Sequence, residues 1–126
     1  MAKHNQTVGK MGENLAKRFL EDKGLRFVDS NYRTPHGEID LIFIDGQQSV
    51  FVEVKTRTNS KFGHGESAVN RKKIEALIFA SETYLEKNAL ACDNWRIDVV
   101  VIEKQPGSGD FEVLHFENVG LEEDLD

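Results

Sequence analysis

The sequence predicts an α/β fold: a single domain in which α-helices flank a central mixed β-sheet. The chain has 126 residues, which is the size of one domain. Apolar residues recur at helical spacing in two segments and alternate with polar residues in several others. The predicted order is helix, three strands, helix and two strands, and such interleaving is typical of a sheet covered by helices.

The first half of the chain is predicted to form one helix and three strands. Residues 7–23 carry apolar side chains at helical spacing, and Gly24 follows as a helix stop. A short strand centred on Phe27 and Val28 comes next, and residues 31–37 are predicted to be a polar turn. The elements that follow are a strand, a hairpin turn and a returning strand, at residues 38–44, 45–48 and 49–57.

The second half is predicted to add a helix and two strands. Residues 58–67 form a polar loop with no periodicity, and residues 68–88 form an amphipathic helix. A buried strand, a turn and an alternating strand follow at residues 95–103, 103–110 and 111–119. We therefore expect one domain over residues 1–119 and a solvated acidic tail over residues 120–126.

Composition excludes several classes of protein. No apolar run approaches the ~20 residues that a membrane-spanning helix needs, so we expect no membrane partner. The first ten residues lack the apolar segment of a secretory signal. Cys92 is the only cysteine, so no internal disulfide forms, which fits a reducing cytoplasm. Hydrophobic residues make up 39% of the chain, too many for an intrinsically disordered protein.

Charge is distributed unevenly along the chain. The formal net charge is −6. Residues 1–73 carry 13 basic and 9 acidic side chains, a net of +4, whereas residues 74–126 carry 3 and 13, a net of −10. Phosphate groups respond to local basic patches and not to the total charge, so this distribution leaves nucleic-acid binding open.

The predicted hairpin brings together residues that carry chemistry. Side chains alternate along a strand, so Glu53 and Lys55 share a face, and Asp40 lies on the neighbouring strand. If residues 46–47 form the loop, Asp40 faces Glu53 with Cβ atoms about 4.5–5.5 Å apart. If residues 45–46 form it, the two carboxylates are diagonal neighbours. Both registers keep them on one face of the sheet, and an odd-length loop or a bulge would break this arrangement.

Two carboxylates at this spacing need a compensating charge. They repel by roughly 3 kcal/mol at an effective dielectric constant of 20, which protonation or a cation relieves. Carboxylate oxygens on rigid strands suit Mg²⁺ or Mn²⁺, and a lysine beside them stabilises developing negative charge. This set fits hydrolysis of a phosphodiester. The simpler interpretation is that Lys55 pairs with Glu53 or Asp40 on a solvated sheet face.

Three motifs carry a family resemblance. GENLA at residues 12–16, GEIDLI at 37–42 and FVEVKTR at 51–57 resemble the YraN family of small bacterial proteins. That family resembles the PD-(D/E)XK nuclease superfamily and, within it, the archaeal Holliday-junction resolvases. The resemblance runs from about Gly12 to about Leu85 and implies a restriction-endonuclease-like fold with an α-β-β-β-α-β core.

The resemblance also assigns roles to residues. It implies that Asp40 and Glu53 are the motif acids that bind Mg²⁺ or Mn²⁺, and that Lys55 is the motif lysine. The backbone carbonyl of Val54 is an expected metal ligand. Glu13 matches an additional acid near the metal in resolvase-like members, and a solvated helix glutamate is the competing interpretation.

Basic residues around this set are candidates for binding phosphate. Arg57 follows the lysine on its strand, and a cluster of cations opens the second helix, where backbone N–H groups favour anions. A polar residue on this helix often assists the site in the superfamily, and Lys72 and Lys73 are equal candidates. In the simpler interpretation these cations only form a solvated surface. The full set of candidates is Arg33, Arg57, Lys61, Arg71, Lys72 and Lys73.

Other polar residues are predicted to be structural. His36 and His64 have no partner at a metal-binding spacing, so we interpret them as loop histidines. Asp98 lies inside a buried strand and needs a partner, for which Arg96 on the same face is the nearest candidate. His115 alternates within the last strand and is predicted to be structural.

We therefore expect a metal-dependent endonuclease that hydrolyses DNA, with branched or otherwise structured DNA as one substrate class. The alternative is a nucleic-acid-binding module that keeps the nuclease fold but is non-catalytic or acts only with a partner. The resemblance to resolvases adds the expectation of a homodimer, and the acidic tail adds that of a basic protein partner. The sequence does not distinguish DNA from RNA.

Overall fold

The computed structural model describes residues 2–57, 71–88, 94–107 and 109–120, with side chains from residue 8 onward. Two helices and five strands follow one another in the predicted order. Their bounds are α1 at Ala2–Asp22, β1 at Arg26–Thr34, β2 at Gly37–Asp45, β3 at Gln48–Arg57, α2 at Arg71–Asn88, β4 at Asn94–Lys104 and β5 at Phe111–Val119.

The five strands form one mixed sheet in the spatial order β1-β2-β3-β4-β5. β3 and β4 run parallel, and the other neighbouring pairs are antiparallel. A parallel pair needs a crossover connection, and α2 lies within that connection. The predicted fold class, an α/β domain with a mixed sheet flanked by helices, is confirmed.

The two helices cover opposite faces of the sheet, because alternate residues of the strands face different helices. On one face Ala16 and Leu20 of α1 pack with side chains that include Leu41 and Phe43 of β2. On the other face α2 packs against a second cluster, whose buried members are Ile39, Ile42, Phe51, Ile74, Leu77, Ala80, Tyr84 and Ile97. The sheet therefore forms the central layer of three.

The hairpin between β2 and β3 has one of the two predicted turns, the loop at residues 46–47. Asp45 pairs with Gln48, so Gly46 and Gln47 are the loop residues, and Gly46 has a φ of 65°. A two-residue turn with positive φ matches the right-handed twist of the flanking strands. The register that places Asp40 next to Glu53 is the one observed along the ladder.

Two predicted boundaries are wrong. Residues 31–34 were expected in a turn, but β1 continues to Thr34, because an edge strand tolerates polar residues on its solvent-facing side. The turn is shorter: the Thr34 hydroxyl accepts hydrogen bonds from the backbone N–H groups of His36 and Gly37, both at 3.1 Å. α1 also begins at Ala2 and not at residue 7.

Several predictions concern residues outside the described ranges. These are the loop at residues 58–67 with Lys61 and His64, the first turn of the predicted second helix, Cys92, and residues 121–126 of the acidic tail. In the described part of the chain, neither helix combines the length and the apolar character that crossing a membrane requires.

Gly12 permits the close contact between α1 and β3, and its substitution should destabilise the protein. A Cβ atom at this position would collide with the side chain of Thr56, the residue after Lys55. We expect Gly12→Ala to lower the free energy of unfolding by about 1–3 kcal/mol, as overpacking does in other cores. Urea unfolding monitored by circular dichroism measures this change.

Gly9, in the same helix, supplies the matched control. No described atom lies within 4 Å of a Cβ built there. Gly9→Ala should therefore stabilise the helix by roughly 0.5–1 kcal/mol, the usual gain over glycine. Equal stability of the two variants would contradict the close approach at Gly12.

Candidate active site

A cleft of about 680 Å³ opens between the two helices where β2 and β3 separate. α1, both strands and α2 all contribute to its walls. The ionisable side chains that line it are Glu13, Glu38, Asp40, Glu53, Lys55 and Lys73. Every acid and the lysine assigned to the site by the motif resemblance therefore line one cavity.

Asp40 occupies the position at which the ladder between β2 and β3 stops. The last pair of the ladder is Leu41 with Val52, and beyond it the Asp40 Oδ2 atom accepts a 2.8 Å hydrogen bond from the backbone N–H of Val54. The carboxylate thus takes the place of a strand carbonyl as acceptor. Its side chain is thereby held against β3 at the floor of the cleft.

Strand alternation is interrupted beside this aspartate. Strict alternation would place Ile39 and Ile42 on opposite faces of β2. Both nevertheless pack in the cluster under α2. The expectation that Asp40 simply shares a flat sheet face with Glu53 therefore needs correction, because alternation is interrupted between Ile39 and Ile42 and the Asp40 carboxylate contacts the β3 backbone.

Burial and, after it, the neighbouring Glu53 carboxylate raise the pKa of Asp40 to about 7. The Val54 N–H bond acts in the opposite direction because it favours the charged form, but it does not offset the other two effects. Near neutral pH this carboxyl group is only partly ionised. Among the described residues that line the cleft, four carboxyl groups stand against two lysines.

Glu53 is buried between two lysines. Its side chain is 5% exposed, and its Oε2 atom lies 3.4 Å from Lys55 Nζ and 3.3 Å from Lys73 Nζ. The ion pair between Lys55 and Glu53 that the simpler interpretation predicts is present, but on a buried glutamate and not on a solvated face. Lys73, and not its neighbour Lys72, is the helix lysine that reaches the cleft.

The two lysines differ in how readily they lose a proton. Burial lowers the pKa of Lys55, and the adjacent Lys73 ammonium lowers it further. Burial also acts to lower the pKa of Lys73, but its interactions with Lys55 and Glu53 outweigh this, so the pKa of Lys73 is raised. Lys55 is therefore the lysine better suited to exchange a proton, and Lys73 the one that stays charged.

A second group of acids forms the opposite wall. The Asn31 side-chain amide lies 3.3 Å from both carboxylate oxygens of Glu13 and 3.3 Å from Oε2 of Glu38. Burial raises the pKa of Glu13 despite the Asn31 hydrogen bond. Glu13 also interacts electrostatically with Glu53 and Asp40. It is therefore part of the acidic site and not a fully solvated helix residue.

Asn31 and Glu38 were not assigned a role from the sequence. The neighbours of Asn31, Ser30 and Tyr32, pair with Leu41 and Ile39, so the ladder sets Asn31 opposite Asp40. Its φ of 51° is left-handed, a conformation that asparagine adopts more readily than most residues. Recognition of residues 31–34 as a strand antiparallel to β2 would have revealed this position.

The candidate phosphate-binding residues are dispersed around the cleft. Arg33 is 82% exposed, and its Nε atom lies 3.9 Å from Glu38. Arg71 and Lys72 are exposed at the start of α2, and Arg57 is half-buried at the end of β3. These four described residues are not among those that line the cleft. Their contact with nucleic acid stays a prediction.

The predicted partner of Asp98 is confirmed. This fully buried carboxylate accepts hydrogen bonds from Arg96 Nε at 2.9 Å and from the Asn118 backbone N–H at 2.9 Å. His115 Nε2 lies 2.8 Å from its other oxygen, and Lys23 Nζ lies 2.9 Å from the second ring nitrogen. Asp98 and His115 are therefore structural residues of β4 and β5.

The donor atoms in the cleft suit a hard divalent cation. Asp40 and Glu53 supply carboxylate oxygens, and the raised pKa of Asp40 indicates an excess of acidic groups that a cation would relieve. Within the described residues, no three His, Cys, Asp or Glu side chains already converge as a metal cage. The site thus fits an ion that is bound by two carboxylates and whose remaining coordination positions are filled by water. Such coordination is typical of Mg²⁺.

Comparison with known proteins identifies relatives along most of the chain. Residues 12–102 match the model of the uncharacterised protein family UPF0102. A UPF0102 protein of Alkaliphilus oremlandii is 43% identical over 114 residues, which cover 90% of this chain and 97% of the relative. One from Beutenbergia cavernae is 41% identical over 113 residues, covering 90% and 95%. One from Vibrio vulnificus is 44% identical over 99 residues, covering 77% and 81%.

In the metal-free protein, Asp40→Asn should increase stability at pH 8 and change it little at pH 4. Folding raises the pKa of Asp40 from 3.8 to about 7, so this group's stabilising contribution is lost as the pH rises through that interval. The asparagine keeps an acceptor for the Val54 N–H but cannot ionise. We expect a gain on the order of 2 kcal/mol at pH 8, measured by urea unfolding in EDTA.

The control is Asp22→Asn at the exposed end of α1. Because it changes an exposed side chain, it should shift stability by no more than about 0.5 kcal/mol at either pH 4 or pH 8. A difference between Asp40→Asn and the wild type that is constant over the same interval would contradict the raised pKa of Asp40.

Proposed function

The chain belongs to the uncharacterised protein family UPF0102, the YraN family expected from its motifs, and we propose that it is a divalent-metal-dependent nuclease of the PD-(D/E)XK type that hydrolyses DNA. One observation carries the proposal. Asp40, Glu53 and Lys55 lie together in an open cleft, and the pKa of Asp40 is raised by uncompensated burial and acidic charge. Perturbed ionisable groups that converge in a cleft are typical of catalytic sites.

Asp40 and Glu53 would hold Mg²⁺ or Mn²⁺, with the Val54 carbonyl as a further ligand. When bound, the ion would supply positive charge to the scissile phosphate and promote ionisation of a water molecule. The chain itself contributes the arrangement of these oxygens. The hydrogen bond from Val54 N–H fixes the Asp40 carboxylate, and the two lysine contacts fix Glu53.

Lys55 would position the attacking water and exchange a proton at its Nζ atom. Its side chain is 28% exposed, so the amine reaches the cleft while its stem is held by β3. Its lowered pKa makes the neutral amine more accessible than in an ordinary lysine. Lys73 would stay charged, which suits it to contact a phosphate oxygen and to stabilise negative charge in the transition state.

The acidic cleft makes nucleic-acid binding depend on the cation. Glu13 and Glu38 add two carboxylates to the pair at the centre, and a phosphodiester would be repelled by this group. A bound divalent ion reverses that repulsion. The surrounding candidates Arg33, Arg71 and Lys72 would contact phosphates farther along the strand, which provides the salt-dependent part of the affinity.

A second function is favoured by one observation. Both lysines already contact Glu53, so an ion pair compensates this carboxylate without a metal. A nucleic-acid-binding module that retains the fold but does not cleave would keep the site in this form. It predicts salt-sensitive binding of DNA that is indifferent to Mg²⁺, and it is separated from the nuclease by the following experiment.

Cleavage of linear, flapped and four-way DNA should require Mg²⁺ or Mn²⁺ and should be lost in Asp40→Asn and Lys55→Met. The first change removes a carboxylate that would hold the ion and the second removes the amine that would position the water, so we expect a decrease of at least about a hundredfold. The measurement is the initial rate with labelled substrates, and RNA of the same sequence tests the choice of nucleic acid.

Lys87→Met, at the exposed C-terminal end of α2, is the control for loss of a lysine. It should cleave at the wild-type rate. Cleavage by Asp40→Asn at that same rate would contradict the nuclease, and binding without cleavage by the wild type would favour the non-catalytic module.

A further inference from the structure

Two exposed aromatic rings lie side by side at the surface. The Phe79 ring of α2 and the His36 ring of the turn before β2 have centroids 5.4 Å apart and planes tilted by 34°. Phe79 is 55% exposed, and His36 is exposed as well. A single exposed apolar side chain is ordinary on a protein surface. Phe79 differs from such a residue because its ring is paired with that of His36 and lies close to the cleft.

The pair is attached directly to the rim of the acidic cleft. Gly37 and Ala76 both line the cleft, and a Cβ atom at Gly37 would lie 3.3 Å from the Ala76 Cβ and 3.5 Å from its carbonyl oxygen. His36 precedes this contact in the chain, and Phe79 follows it by one helical turn. The rings therefore continue the wall that Gly37 and Ala76 form.

The helix also connects the rings with a cation. Residues at i, i+4 and i+7 share one face of a helix, so Lys72, Ala76 and Phe79 form a stripe along α2. Lys73, the neighbour of Lys72, reaches the buried Glu53. A strand of nucleic acid that crosses this rim would meet cations for its phosphates and an aromatic surface for a base.

We propose that Phe79, together with His36, stacks an unpaired nucleobase next to the phosphate in the cleft. This inference rests on the proposed function and specifies its substrate: nucleic acid that is single-stranded, or has a base out of its duplex, beside the site of reaction. Bases in a continuous duplex are stacked on one another and do not present a face to a protein ring. Aromatic rings that stack bases are the common device for recognising unpaired nucleotides.

The size of the pair favours a base over a protein partner. A stable protein interface buries about 800 Å² on each side, far more than two rings provide. A base has roughly the area of the Phe79 ring, and the nearby cations match its phosphate. If the following test shows that no base stacks on these rings, a protein partner becomes the favoured occupant of this face.

The test is binding of a short single strand that contains one 2-aminopurine, because stacking on an aromatic ring quenches its fluorescence. The Lys55→Met background, in the presence of Mg²⁺, keeps the strand intact and retains both carboxylates that would hold the ion. Phe79→Leu, which keeps an apolar side chain but removes the ring, should weaken binding about tenfold and reduce the quenching. Phe79→Trp should restore both.

Phe116→Leu is the matched control, since Phe116 on β5 is also half-exposed, at 50%. It should bind and quench as the parent does. In an otherwise wild-type chain, Phe79→Leu should slow cleavage of a flapped substrate much more than cleavage of a fully paired duplex. Equal binding and quenching by Phe79→Leu and Phe116→Leu would overturn the stacking site.

Failure of the stacking site and failure of the nuclease give different results. Metal-dependent cleavage that is lost in Asp40→Asn but insensitive to Phe79→Leu would leave the nuclease and overturn the stacking site. Quenching that depends on Phe79 in a protein that cleaves no substrate would support the stacking site and contradict the nuclease.

Discussion

The cleft depends on the two-residue turn at Gly46 and Gln47. This turn permits one register between β2 and β3, and that register brings Asp40 beside Glu53. The strands do not continue pairing there. The Asp40 carboxylate accepts the hydrogen bond from the Val54 N–H, which a carbonyl of β2 would otherwise accept. The separation of the strands, the opening of the cleft and the repulsion between its acids all follow from this arrangement.

Two aspartates inside the sheet show how differently the fold treats a buried carboxylate. Asp98 is satisfied by Arg96, His115 and a backbone N–H, so its charge is stabilised within the protein. Within the described residues, Asp40 accepts one hydrogen bond, from Val54, and faces further acids. A buried carboxylate that faces other acids lowers the stability of the folded protein. A ligand-binding role explains why such a group is retained.

Local patterns predicted the element order, the hairpin and the central acids, because alternation and turn chemistry act over a few residues. They left two registers open, since residues 45–46 and 46–47 both form acceptable turns, and pairing along the strands selects one. Lys72 and Lys73 were indistinguishable because the rotation of α2 about its axis is set by packing of its buried face on the sheet. Asn31 was missed because the sequence of residues 31–37 predicts a polar turn, whereas pairing with β2 extends the edge strand to Thr34.

Binding of Mn²⁺, followed by electron paramagnetic resonance of the free ion at pH 8, tests most directly whether the acidic pair is a metal site. The account predicts a saturable site in the wild type and in Asp22→Asn. It predicts affinity at least about tenfold weaker in Asp40→Asn and in Glu53→Gln, because each removes one of the two carboxylate ligands. Equal affinity in all four proteins would contradict it.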